Sequence, residues 1–221
     1  MAGTAGNLSL RLADGSFWIT ASGKPKGALG VEDFLRVAAG GAVLARGNPG
    51  DLPSAETCIH QAVYSLFPEA AACYHVHTVA SNLVPRLPHR PPPPQRPPGR
   101  ADTSGAGAAG DPEKDEGPAA AAELALPPLE MLKGLGVRDE RPRVAIAVFP
   151  NHLEVPAIAA EVAARFRAAP PRLPAFLIRD HGLTVWAESG PTALNYIELL
   201  EFIFAFMIAA AAAGAAGLPP E

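Results

Sequence analysis

The sequence predicts a mixed α/β domain, and three observations lead there. Short apolar, strand-like runs alternate with amphipathic helical stretches on both sides of one proline-rich interruption. The 221 residues, 48% of them hydrophobic, suffice for one domain with a real core. Only two cysteines are present, Cys58 and Cys73, too few for a disulfide framework and not spaced as a CxxC pair.

Taken in order, Asn7 to Leu12 and Phe17 to Thr20 read as a hairpin around Asp14-Gly15, and Ala42 to Ala45 as a further strand. Ser54 is the expected N-cap of a helix from Ala55 to Phe67, and the strand Ala71 to His77 follows. Between Pro85 and Pro128 lie 12 of the 25 prolines, so residues 86–123 cannot bury enough apolar surface to offset their ordering entropy. They are expected to be a disordered insertion, a tolerated surface loop or, alternatively, a polyproline ligand for a partner. Beyond it come a helix around Leu129 to Leu135, a strand Arg143 to Phe149 and a helix Glu154 to Ala168. Strands Ala175 to Arg179 and Leu183 to Trp186 and a C-terminal helix from Pro191 complete the chain. Within that helix Phe202 to Ala213 is apolar but short of the ~20 residues of a membrane span. With Glu198 and Glu201 just upstream, it is expected to be buried in a domain that does not enter membranes.

Composition also narrows the function. The net charge is −4, from 18 basic and 22 acidic side chains, and no basic cluster alternates with aromatics, which argues against nucleic acid and for a small-molecule ligand. No charged-then-apolar leader follows Met1 and cysteine is scarce, so a cytoplasmic location is expected.

The sharpest chemical signal is His75-Val76-His77 at the end of an apolar strand. Side chains two apart on a strand share a face, so both imidazoles can reach one metal ion; two hydrogen-bonded histidines are the alternative. His181, in Arg179-Asp180-His181-Gly182 between two strand-like runs, is a third candidate, with Gly182 permitting a tight turn beside it. Three histidines with an open fourth position form a Lewis-acid arrangement. His60 lies inside a helix, His89 in the insertion, and His152 at a helix start where capping explains it. Two carboxylates could serve proton chemistry. Glu56 opens a helix 19 residues before His75, where a dipole-favoured first-turn acid is the alternative reading. Glu130 stands amid the apolar residues of Leu129 to Leu135, where a solvated face is the alternative. Two glycine-containing turns, Thr4 to Asn7 and Thr20 to Gly27, offer N–H groups, a hydroxyl and lysines as an anion cradle, but match no nucleotide fingerprint.

In this order the pieces resemble the class II aldolase and adducin family: a G-N-x-S strand start, a T-x-S-G turn, P-S-x-E, H-x-H nineteen residues on, and a distant H-G. Within it, PSAETCIH, HTVASNLV, LEMLKGL, FPNHLEVP and RDHGLTVW look like the dehydratases that act on a methylthio-keto-pentose phosphate in methionine salvage. The resemblance implies a three-layer α/β/α class II aldolase-like domain with a mainly antiparallel central sheet, spanning residues 1–221 and usually assembled as a homotetramer. It implies one divalent metal, normally zinc, on His75, His77 and His181. It places substrate and phosphate contacts at Asn7, Ser22, Gly23, Lys26 and Ser54. The dehydratases use the glutamate of E-M-x-K-G for acid–base work, here Glu130, while the aldolases use that of P-S-x-E, here Glu56, which is expected to support the substrate or metal site. A sugar-phosphate aldolase or epimerase and a non-catalytic adducin-like scaffold are the alternatives the same resemblance leaves. Ala187 replaces the glycine common after the tryptophan, a change expected to be tolerated.

Overall fold

The computed structural model describes residues 6–25, 27–87 and 122–214. Among these, nine strands form one sheet: β1 (Gly6–Arg11), β2 (Phe17–Thr20), β3 (Phe34–Val37), β4 (Val43–Arg46), β5 (Ala72–Val76), β6 (Ala122–Leu126), β7 (Val144–Phe149), β8 (Ala175–Ile178) and β9 (Gly182–Ala187). The order across the sheet is β4-β3-β2-β1-β5-β9-β8-β7-β6, and every pair is antiparallel except β7 with β8. Helices α1 (Thr57–Leu66) and α3 (Val155–Ala168) pack on one face; α2 (Val79–Leu83) and α4 (Gly190–Ala212) cover the other. This is the expected three-layer α/β/α arrangement.

Strand periodicity builds the two cores. On β7, Val144, Ile146 and Val148 join the core under α4 while Ala147 and Phe149 join the core under α1 and α3. The same split places Leu177 of β8 on the α4 side and Phe176 and Ile178 on the other. Ala187 is buried on β9 opposite Ala72, where its methyl group packs in the core. The β1–β2 hairpin closes as expected: the Asp14 carboxylate accepts from the Ser16 N–H at 3.0 Å and its hydroxyl at 2.6 Å.

Several boundaries differ from the sequence reading. Two strands were not anticipated, β3 and β6, and both are short and interrupted by a charged side chain, Arg36 or Glu123. Of the expected insertion, Arg86 closes a 3-10 turn and residues 122 and 123 belong to β6; residues 88–121, His89 included, lie outside the described residues. Ser54 does not cap a helix beginning at Ala55. It opens a turn in which its carbonyl accepts from Thr57, and α1 starts two residues later with Glu56 at the cap position. The segment Leu129 to Leu135 is a 3-10 turn over Glu130–Leu135 rather than an α-helix. His152 does not cap α3; its ring pairs with Glu161 at 2.7 Å, and Glu154 occupies the cap position.

Helix α4 also departs from expectation. Ala193, Ile197, Leu200, Ile203 and Phe204 form a buried stripe against the sheet, but Phe202 and Phe206 are exposed. One helix lays one face on one sheet, so an all-apolar sequence leaves its far side uncovered. By length and composition α4 could also cross a membrane. Its buried stripe is nevertheless part of the core beneath the sheet.

Candidate metal centre

The site forms where the ends of β1, β5 and β9 meet the start of α1. Register brings Asn7 of β1 beside His75 of β5, and His75 beside Thr184 of β9. Such close strand packing needs glycine on both flanks of the histidine strand. A Cβ on Gly6 would lie 2.2 Å from the His75 carbonyl oxygen. One on Gly182 would lie 2.3 Å from the Val76 carbonyl oxygen and 3.0 Å from the His77 ring. Gly182 therefore serves close approach rather than the turn predicted for it. The left-handed residue of that turn is Asp180, at φ 54°, held by the Arg86 guanidinium at 2.6 Å. Asn82 of α2 donates to the His181 carbonyl at 3.0 Å, which fixes the loop further.

The three histidines converge. Their ring centroids are 4.8, 4.9 and 4.6 Å apart, and His75 Nε2 and His77 Nε2 face each other at 2.9 Å. Glu56 Oε1 completes the group, 2.7 Å from His181 Nε2, 3.5 Å from His77 Nε2 and 3.8 Å from His75 Nε2. One ligand atom from each of the four residues falls within 4.8 Å of every other. Tetrahedral ligands at zinc–nitrogen distances lie ~3.4 Å from one another, so the four separations bracket what a divalent cation needs. Two imidazole lone pairs aimed at each other repel unless a proton or a cation lies between them, which makes the donor set a fit for a metal. Neutral imidazole suits that role, and burial pushes His75 down to about 3. Its Nδ1 lies 2.8 Å from the Thr184 hydroxyl, which fixes the ring so that Nε2 faces the cluster.

Burial on its own would raise the Glu56 carboxyl. Hydrogen bonds from His181 and His77 outweigh it and hold the group well below the usual carboxylate range. As the cap residue of α1, Glu56 makes no side-chain cap bond, so its carboxylate is free to face the histidines. Its second oxygen accepts from the Asn7 amide.

Of the substrate contacts expected from the sequence, Asn7 and Ser54 are at this site, joined by a 3.2 Å hydrogen bond. Ser22 and Gly23 form an exposed turn beside it, anchored where the Ser22 N–H donates to Leu52 at 2.9 Å and Ala21 bridges Pro53. Lys26 and the Thr4-Ala5 half of the first glycine turn lie outside the described residues. Lys24 of the second glycine turn, Thr20 to Gly27, is held between Asp33 and Asp51, each at 3.1 Å. Glu130 is not among the four converging residues. Its side chain is 73% exposed and pairs with Lys133 at 2.9 Å. Sequence reasoning passed over Thr184, and it set aside His60, which is buried and linked to Asn7. The spacing of Glu56, His60 and Tyr64, one helical turn apart each time, is a signal that could have found the latter.

Residues 1–208 match the model of the class II aldolase and adducin N-terminal domain. The chain belongs to the class II aldolase and adducin family. This class II aldolase-family chain is 49% identical to a methylthioribulose-1-phosphate dehydratase of Microcystis aeruginosa, over 95% of its own length and 87% of the relative's. It is 36% identical to the protein of that name from Klebsiella pneumoniae, over 91% and 83% of the two chains. Among solved structures, YgbL of Escherichia coli superposes with a TM-score of 0.65 at 24% identity, covering 95% of this chain and 80% of that one. The L-fuculose-1-phosphate aldolase of Thermus thermophilus gives 0.63 at 23%, covering 98% and 89%. At these identities the structural likeness establishes the class II aldolase fold.

Proposed function

We propose that the chain removes water from 5-methylthioribulose 1-phosphate to give 2,3-diketo-5-methylthiopentyl 1-phosphate, a step of methionine salvage. The observation that carries this reading is the joining of His75, His77, His181 and Glu56 in one donor set, in a chain 49% identical to a dehydratase of that name. Zinc is the proposed metal, one per chain, because imidazole and carboxylate oxygen in a four-donor group suit it. When bound, such a cation supplies Lewis acidity to a ketone and its neighbouring hydroxyl, which eases loss of the proton beside the ketone.

The chain's own residues do the rest. Hydroxide leaves poorly from the next carbon, so a carboxylic acid must protonate it, and Glu130 is proposed for that acid–base work. Glu56 is proposed to support the metal and substrate, its Oε1 turned to the histidines and its Oε2 to Asn7. Asn7, Ser22, Gly23, Lys26 and Ser54 are proposed as substrate and phosphate contacts; the exposed Ser22-Gly23 turn offers the Ser22 hydroxyl and the Gly23 N–H to an anion there. The uncovered side of α4, with Leu194, Phe202 and Phe206 exposed, supports a homotetramer. Two free thiols, Cys58 and Cys73, support a cytoplasmic location.

The aldolase and scaffold readings are not favoured. The aldolases among the structural neighbours share the fold at low identity, and a scaffold has no use for a complete donor set. The test is an assay of purified, metal-loaded protein on 5-methylthioribulose 1-phosphate. Loss of water with a diketone product is expected; cleavage to dihydroxyacetone phosphate would instead establish an aldolase.

A further inference from the structure

Behind the metal-ligand cluster lies a second set of polar groups in the core, and its members come from two faces that match in period. On β1, Asn7 and Ser9 point to the same side of the sheet; on α1, Glu56, His60 and Tyr64 share one helix face. Asn7, Ser9, His60 and Tyr64 are all buried. His60 Nδ1 lies 2.6 Å from the Ser9 hydroxyl, which lies 2.7 Å from the Tyr64 hydroxyl. His60 Nε2 meets Asn7 Oδ1, and Asn7 Nδ2 meets Glu56 Oε2.

The donors fix the Asn7 end of this set; at the other end the Ser9 hydroxyl also lies 3.4 Å from the Cys73 carbonyl oxygen. The Glu56 carboxylate and the Ser54 hydroxyl oxygen take their hydrogens from Asn7 Nδ2, so Asn7 Oδ1 must accept. His60 Nε2 therefore carries a hydrogen, and in the neutral ring its bare Nδ1 accepts from Ser9, the shorter of the two donations open to that hydroxyl, which in turn accepts from Tyr64. Every link of this chain, from Tyr64 through Ser9, His60 and Asn7 to Glu56, donates in one direction and ends on an anion. Burial keeps the His60 ring neutral, pushing it down to about 4, as the arrangement requires.

We propose that His60 is a positioning residue: its Nε2–H locks the Asn7 amide in the orientation that ties down Glu56 Oε2 and thereby presents Oε1 to the three histidines. Without that donor, Asn7 Oδ1 is left buried and unpaired, and the amide gains by turning over. It then sets a carbonyl oxygen against a carboxylate oxygen, and Glu56 is pushed from the cluster. The orienting role rests on hydrogen-bond geometry alone; its effect on turnover rests on the dehydratase reading above.

Two measurements test this on the full-length chain. In the metal-free protein with nitrogen-15-labelled histidine, long-range proton–nitrogen correlations are expected to show His60 as the Nε2–H tautomer. An Nδ1–H tautomer or an imidazolium at neutral pH would overturn the proposal. The second compares His60→Gln, whose side-chain N–H reaches the place of Nε2, with His60→Asn, which reaches only as far as Nδ1. Zinc affinity, read by titrating metal-free protein, and kcat are expected to fall about 10- to 100-fold in His60→Asn and to recover most of the way in His60→Gln. Thermal melting is recorded for both, because the tautomer of the wild type decides the matter even if a variant fails to fold. Equal losses in the two variants would mean that His60 only fills space. A wild type that binds zinc and shows the Nε2–H tautomer yet leaves 5-methylthioribulose 1-phosphate untouched would overturn the dehydratase reading and uphold this one.

Discussion

Two glutamates stand at the starts of two helical turns and meet opposite fates. Glu56, at the cap of α1, is enclosed by Asn7 and three histidines, with 13% of its side chain exposed. Glu130, first in the 3-10 turn after β6, is 73% exposed and touches Lys133. Position at a helix start is the same in both cases, so the difference comes from what β1, β5 and β9 place in front of one and not the other. A carboxylate inside a closed donor set is held in one charge state, which suits holding a cation. The open one stands outside the donor set, uncommitted to the cation, and is the one proposed for acid–base work.

Exchanging each carboxylate for its amide sharpens that contrast most. Glu130→Gln is expected to keep its metal, measured by elemental analysis, and to lose about 10²- to 10⁴-fold in kcat, the range for a missing general acid. Turnover equal to wild type would refute the acid–base role. Glu56→Gln is expected to act first on the metal, weakening zinc affinity about 10- to 100-fold in a titration of metal-free protein. If instead Glu56→Gln bound zinc as tightly as wild type, the division of labour between the two residues would have to be reversed.

A smaller effect tests the frame around the histidines. Gly182→Ala puts a methyl group against the Val76 carbonyl and the His77 ring. A loss of ~1–3 kcal/mol in urea unfolding is expected, with weaker zinc binding. An effect that develops only on acidification is the pH dependence of stability in the metal-free protein. His60 is pushed from 6.5 down to about 4, so between those values the unfolded chain binds a proton that the folded chain refuses. Stability is then intact above pH 6.5 and falls on acidification by up to ~1.4 kcal/mol per pH unit from this residue. His60→Gln removes that contribution, which the urea midpoint as a function of pH will show.

Much of this was readable in the chain itself. The β1–β2 hairpin follows from alternation around Asp14-Gly15, and His75, His77 and His181 are placed by strand ends that the apolar runs define. The strands β3 and β6 were not readable, because Arg36 or Glu123 interrupts their few apolar residues, and pairing with neighbours decides them. The start of α1 was misplaced because Ser54, a good cap by type, spends its carbonyl and hydroxyl on a turn that delivers Glu56 to the cap position. His60 was missed for a different reason. Judged singly, a histidine in a helix is unremarkable, and its meaning lies in Glu56 and Tyr64 one turn away and in Asn7 and Ser9 across the layer.

The most direct test of the metal centre is calorimetric titration of metal-stripped protein with zinc, for the wild type and for His75→Ala. One zinc per wild-type chain and no specific binding by His75→Ala are expected. A wild type without stoichiometric binding, or a His75→Ala protein that binds as tightly, would contradict a shared cation among His75, His77, His181 and Glu56.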